Sequence, residues 1–245
     1  MEVKLTRITT DPLMAIENAA SKCYNSEPST TGRILNACYR NGHHSVFEHV
    51  VYTWDVSGVS RALLAQLTRH RIASFSVQSQ RYVSYAKGFD YVTPPSIIAL
   101  GSDAVNEYDR QMAQIHEWYK GWQDKLGGED EKSNEDARFV LPNACCTTLT
   151  VTMNDREFMK TCNERLCKRA QWEIRQMIGL MRDEVLRVFP EATHRFVPKC
   201  LADPKHPYCK EAKSQSCNMF PVLDEVYRLP AAEHPKASAS VTTAY

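Results

Sequence analysis

The sequence predicts an α+β fold: long helices and a small, mostly antiparallel sheet. Three observations point there. Helix-like and strand-like stretches do not alternate strictly, which disfavours a doubly wound parallel sheet. The longest periodic stretch, residues 103–126, is helical. Glycine is scarce, 9 of 245 residues, and neither G-x-G-x-x-G nor G-x-x-x-x-G-K-[ST] occurs, so bound phosphate must be held by side chains or helix ends.

Residues Glu2 to Thr9 read as a strand, with Val3, Leu5 and Ile8 apolar. Asp11 is placed to cap a helix from Pro12, an N1 proline, to Tyr24. Gly32 to Arg40 carries Ile34, Leu35 and Cys38 on one stripe, a second helix. Phe47 to Val56, rich in β-branched and aromatic residues, reads as a strand. Val59 to Thr68 has Val59, Ala62, Leu63 and Leu67 at helical spacing. Ile72 to Tyr91 lacks a stripe and is full of hydroxyls, so an irregular segment is expected, ended by Pro94-Pro95. The long helix at 103–126 stops at Gly127-Gly128. A short helix is expected from Glu135 to Leu141, before Pro142. Thr147 to Met153 is a strand by composition. Asn154 and Glu157 then form a capping box that opens a helix to Cys167. Trp172 to Phe189 is amphipathic and ends at Pro190. The pattern dissolves after Arg195, and the last fifteen residues read as disordered. The expected organisation is one domain over 1–190 and an irregular extension rich in Cys and Pro over 191–245.

Charge is balanced, 30 basic residues against 29 acidic, which argues against bulk electrostatic binding of nucleic acid. No apolar run is long enough to span a bilayer, and the first ten residues do not read as a signal peptide. Nine cysteines, an odd count with no secretion signal, suggest reduced thiols and a cytoplasmic location.

The densest polar cluster holds Arg61, Arg69, Arg71 and Arg81 within residues 61–82, while no lysine falls between Lys22 and Lys87. Arginine presents a planar fork of donors that matches phosphate bidentately, and lysine does not. The cluster therefore reads as an anion site near a helix C-terminus. The helix dipole repels anions there, so the arginines must supply the attraction.

Arg69-His70-Arg71, seven residues, then Ser79 resembles the signature of the flavin-dependent thymidylate synthases, the ThyX family. Gly42-His43 with Phe47-Glu48-His49 resembles the family's G-H-x-x-x-F-E-H. Glu135 to Pro142 resembles its E-x-A-R-x-x-L-P, and Asn154, Arg156, Arg165 and Ala170 to Ile174 resemble its last motif. The resemblance runs from residue 42 to 174, loosely into the first 40 residues, and not past Pro190. It implies a ThyX-like fold and reductive methylation of dUMP to dTMP. Methylenetetrahydrofolate would supply the carbon, and FAD reduced by NADPH the hydride. It also implies a homotetramer with active sites between subunits, and neither a nucleic-acid nor a membrane partner.

Residue roles follow from the same resemblance. Gln66, Arg69, Gln78, Ser79, Arg81 and Arg138 would hold dUMP, with Arg81 on the phosphate. Arg165 would stabilise the ionised N3 of uracil and is the catalytic candidate. His43, Ser45, Glu48, Arg69, His70, Arg71, Asn154, Arg156 and Lys160 would meet FAD. The sequence departs from the family at Ser76-Val77, where Asn-Glu is common, and at Lys160, where Asn is common. Two other readings stay open at this level: an inactive relative that binds nucleotide or flavin, and an Arg-rich nucleic-acid module. No metal is expected. Cys200, Cys209 and Cys217 have gaps of eight and seven residues and no C-x-x-C knuckle, and Cys145 and Cys146 have no base beside them in sequence.

Overall fold

The computed structural model describes residues 1–203 and 207–228. The chain divides into two units. One comprises Met1–Glu2, Asp55–Arg69 and Phe75–Thr150; the other comprises Val3–Trp54, His70–Ser74 and everything from Val151 onward. Four strands form a single sheet in the order β1-β2-β4-β3: β1 (Glu2–Ile8), β2 (Val51–Ser60), β3 (Ala73–Val77) and β4 (Cys146–Asn154). Side-chain pairs fix the β2–β4 register as antiparallel. Thr53 meets Thr152 at 3.0 Å, and Thr150 donates to Asp55 at 2.6 Å; two residues forward on one strand is two back on the other.

The α+β expectation holds, with shifts at element ends. Residues 47–49, expected to open β2, instead end a 3₁₀ turn (His44–His49) with Phe47 fully buried, and the strand starts at Val51 and runs on to Ser60. The Ser60 hydroxyl accepts from Leu63 N–H at 3.0 Å and so starts α3 (Arg61–Leu67) two residues later than the apolar spacing suggests. The short helix expected at 135–141 begins earlier, as α6 (Glu131–Ala137). Asp130 accepts from Ser133 N–H at 2.8 Å, and Arg138–Val140 tighten into a 3₁₀ turn. The main correction lies in residues 72–91. Ala73–Val77 is strand β3, with Ala73, Phe75 and Val77 half-buried and both serines exposed. Serines on its outer face hid an ordinary period of two.

In the first unit, α4 (Pro95–Ile98) leads into α5 (Ser102–Leu126), which packs on α6. Tyr85, Tyr119, Ala137 and Cys145 form the buried cluster here. In the second unit, α1 (Pro12–Tyr24) and α2 (Arg33–Arg40) pack together. Buried Glu17 on α1 accepts from the N–H groups of Ile34 and Leu35, at 3.0 and 2.9 Å, and so caps α2. Helices α7 (Asp155–Arg165) and α8 (Trp172–Val188) pack on each other, and Tyr52, Trp54, Phe158 and Phe196 form an aromatic core. Beyond α8 the described chain holds three 3₁₀ turns and one four-residue helix, α9 (Leu223–Val226). Residues 231–245, expected to be disordered, lie outside the described residues.

Candidate active site

In the second unit the candidate residues gather around α7. Asn154 is its N-cap, accepting from Glu157 N–H at 2.8 Å. The 3₁₀ turn 44–49 packs against α7, and Glu48 from the turn pairs with Arg156 from the helix. His43, Ser45, Glu48, Arg71, Arg156 and Lys160 are all exposed. Arg156 and Lys160, four apart, share a helix face. The result is an open, polar, partly basic surface built from two elements.

His70 behaves differently from its neighbours. Arg69 and Arg71 are exposed, while His70 is 5% exposed. Arg165, the last residue of α7, donates from Nε to His70 Nε2 at 3.1 Å. Nε2 must therefore be an acceptor, which leaves the ring proton on Nδ1. Nδ1 faces Thr161 Oγ1 at 3.2 Å and Glu157 Oε1 at 3.4 Å. Burial first, then the Arg165 charge, lowers the proton affinity of His70 against the opposing pull of Glu164 and Glu157. A neutral imidazole thus orients Arg165, a role the resemblance did not assign to it.

In the first unit, Gln66 lies in the last turn of α3, and Arg69 follows the C-cap Thr68. Arg61 donates to the Gln78 carbonyl at 2.7 Å and fixes the end of β3, leaving the Gln78 side chain exposed. Ser79 accepts from Arg81 N–H at 3.1 Å. Arg81 is paired with two carboxylates of α6. Its Nη2 lies 2.7 Å from Glu131, and its Nε 2.6 Å from Glu135 but off the hydrogen-bond line. Arg138 donates from Nε to the Glu135 carbonyl at 3.0 Å, which brings it to the same helix.

A buried amide network supports this group. Gln123 on α5 donates to Tyr119 Oη, Asn134 Oδ1 and Ser84 Oγ, and Asn134 donates to the Arg81 carbonyl at 3.2 Å. Gln123 and Asn134 are 1% and 3% exposed. Sequence reasoning missed both. Their one available signal was a polar pair on facing helical stripes. Cys145 is fully buried and burial raises its thiol pKa, as suits a structural thiol.

Residues 4–191 match the family model described as thymidylate synthase complementing protein. A flavin-dependent thymidylate synthase of Nitratidesulfovibrio vulgaris is 37% identical over 238 residues, covering 90% of this chain and 95% of that one. The chain belongs to the flavin-dependent thymidylate synthase family. A family member from Clostridium tetani is 34% identical, covering 93% of this chain and 97% of its own. The crystal structure of Helicobacter pylori ThyX complexed with FAD and dUMP superposes with a TM-score of 0.57 at 25% identity, over 75% of this chain and 93% of that one. An alignment covering 90% of the chain cannot stop at Pro190, so relatives share part of the C-terminal segment too.

Proposed function

We propose that this chain is the family's enzyme in full: it converts dUMP to dTMP with methylenetetrahydrofolate as carbon donor and NADPH as reductant. The single observation that carries this is the Arg165–His70 pair. A guanidinium delivered at the end of α7 and held by a neutral, buried acceptor is a preorganised cation. Set beside uracil, it favours the N3-ionised ring and raises electron density at C5. Gln66, Arg69, Gln78, Ser79, Arg81 and Arg138 bind dUMP in this reading, the arginines meeting the phosphate and ring oxygens bidentately.

FAD, when bound, supplies the hydride that reduces the transferred carbon to a methyl group. The residues present fit it. Arg156, Lys160 and Arg71 offer exposed cationic donors for a diphosphate, and His43, Ser45 and Asn154 offer hydrogen bonds, so no glycine cradle is needed. This surface is open, as expected where a second subunit completes the site. Trp118, Trp122 and Leu126, 55%, 47% and 43% exposed on α5, supply the apolar face a homotetramer would cover. No described helix is long and apolar enough to cross a membrane. In this reading residues 1–190 are the catalytic domain, 191–245 an extension, and the enzyme works in the cytoplasm.

The test is tritium release from C5-labelled dUMP with NADPH and methylenetetrahydrofolate, on protein that purifies yellow. Arg165→Ala should lower turnover at least about a hundredfold, the scale for loss of a preorganised charge, while FAD is retained. Yellow protein with no release under any condition would mean a nucleotide-binding relative without activity. Loss of FAD with turnover per bound flavin unchanged would overturn the role of Arg165.

A further inference from the structure

Four cysteines line one small cavity in the second unit. Cys167 comes from the turn between α7 and α8, Cys200 from the 3₁₀ turn 199–201, Cys209 from the stretch bridged to Val222, and Cys217 from just before Phe220. The cavity measures about 20 Å³, room for one small ion or water. Leu166, Pro198, Met219 and Phe220 line the rest of it, together with Lys168, Lys199 and Lys210. The three cysteines of the C-terminal segment had gaps without a C-x-x-C knuckle. The structure adds a fourth thiol from thirty-odd residues earlier, which linear spacing could not show.

The surrounding chain needs such a tie. From residue 190 to 228 the described structure has only short turns and a four-residue helix. Arg195 anchors its start, but residues 207–220 add little apolar burial: Cys209 is their one buried hydrophobic residue, at 7% exposure. Segments that cannot build a core are held by disulfides or by metal. None of the four cysteines forms a disulfide, and four thiols at one cavity match the donor set of a structural zinc site.

We propose that Cys167, Cys200, Cys209 and Cys217 bind one structural Zn²⁺, which fastens the C-terminal segment to the α7–α8 turn. Binding converts four thiols to four zinc-bound thiolates and releases four protons. The centre carries two net negative charges, with the basic residues Lys168 and Lys210 also lining the cavity and Lys199 paired with Glu211. Among the described residues no three ligand-type side chains are already gathered around one point, so the ion draws the thiols inward, and binding is coupled to tightening of the segment.

The experiment uses the full chain, purified under reducing conditions and loaded with Zn²⁺ or Co²⁺. The expected result is one metal per chain, thiolate-to-cobalt charge-transfer bands with the strong visible bands of tetrahedral cobalt, and slower proteolysis within 199–217 when zinc is present. Cys217→Ser, at an exposed position unlike the buried Cys209, should weaken zinc binding at least about tenfold. Cys23→Ser, an exposed thiol away from the cavity, should change nothing. Absence of cobalt bands, a disulfide between any two of the four in peptide maps, or equal loss in Cys23→Ser would each overturn the proposal.

Discussion

His70 shows how little a residue's identity says without its burial. Beside Arg69 and Arg71 in sequence, it looks like part of a charged loop; in the fold it is an enclosed acceptor for Arg165. The groups facing it are Arg165, Glu164, Glu157 and Thr161. Its proton affinity is below the free value of 6.5, so the unfolded chain takes up a proton before the folded one does. Stability from this site is therefore complete above pH 6.5 and is lost as pH falls from there towards the lower folded value. Urea midpoints measured at about pH 7.5 and about pH 5.5 should show a drop that His70→Gln reduces. An equal drop in both proteins would remove His70 as the titrating group.

Helix α7 depends on how its first turn is held. Asp155, its first residue, receives Tyr52 Oη at 2.6 Å and two bonds from Arg195, at 2.9 and 2.6 Å. All three are buried, and Arg195 also lies over the rings of Phe47, Phe189 and Phe196. Burial alone would lower the Arg195 pKa, but Asp155 and Tyr52 outweigh it and raise it. Burial and the adjacent Asp155 push the Tyr52 hydroxyl well above its usual range. Replacing Arg195 with Met keeps much of the volume but strands the Asp155 carboxylate, which should cost about 3–5 kcal/mol. Chemical denaturation would measure this, and a loss below about 1 kcal/mol would show that the pair behaves like a surface bridge.

This element also marks the limit of what the sequence discloses. The Asn154 cap, the arginine motif and the two long helices follow from local rules and were readable, whereas the Glu157 half of the expected capping box does not form, its carboxylate facing His70 instead. Arg195, Glu17, Gln123 and Asn134 were not. Each acts across 11 to 53 residues of chain, and a polar residue destined for burial carries no mark in composition. Strand β3 was missed for the converse reason, because its exposed serines masked half-buried neighbours.

At the scale of the molecule, the outward aromatics of α5 predict association. Trp122→Glu with Trp118→Glu should shift the protein from the proposed tetramer to smaller species in analytical ultracentrifugation. If the active sites lie between subunits, dTMP formation should fall with the loss of assembly. A double variant that stays tetrameric would move the interface elsewhere.

Arg81 meets Glu131 and Glu135 before it meets any nucleotide. If Arg81 holds the dUMP phosphate as proposed, those carboxylates are placeholders: they keep the guanidinium extended and in register, and the phosphate must displace them to take their seat. Nucleotide binding at Arg81 is then an exchange of anions rather than a simple capture. Charge balance on α6 becomes a dial on affinity. Glu135→Gln should tighten dUMP binding by up to about fivefold, the scale of a half-exposed ion pair released. Weaker binding would instead show that the orienting effect of the carboxylate outweighs its competition.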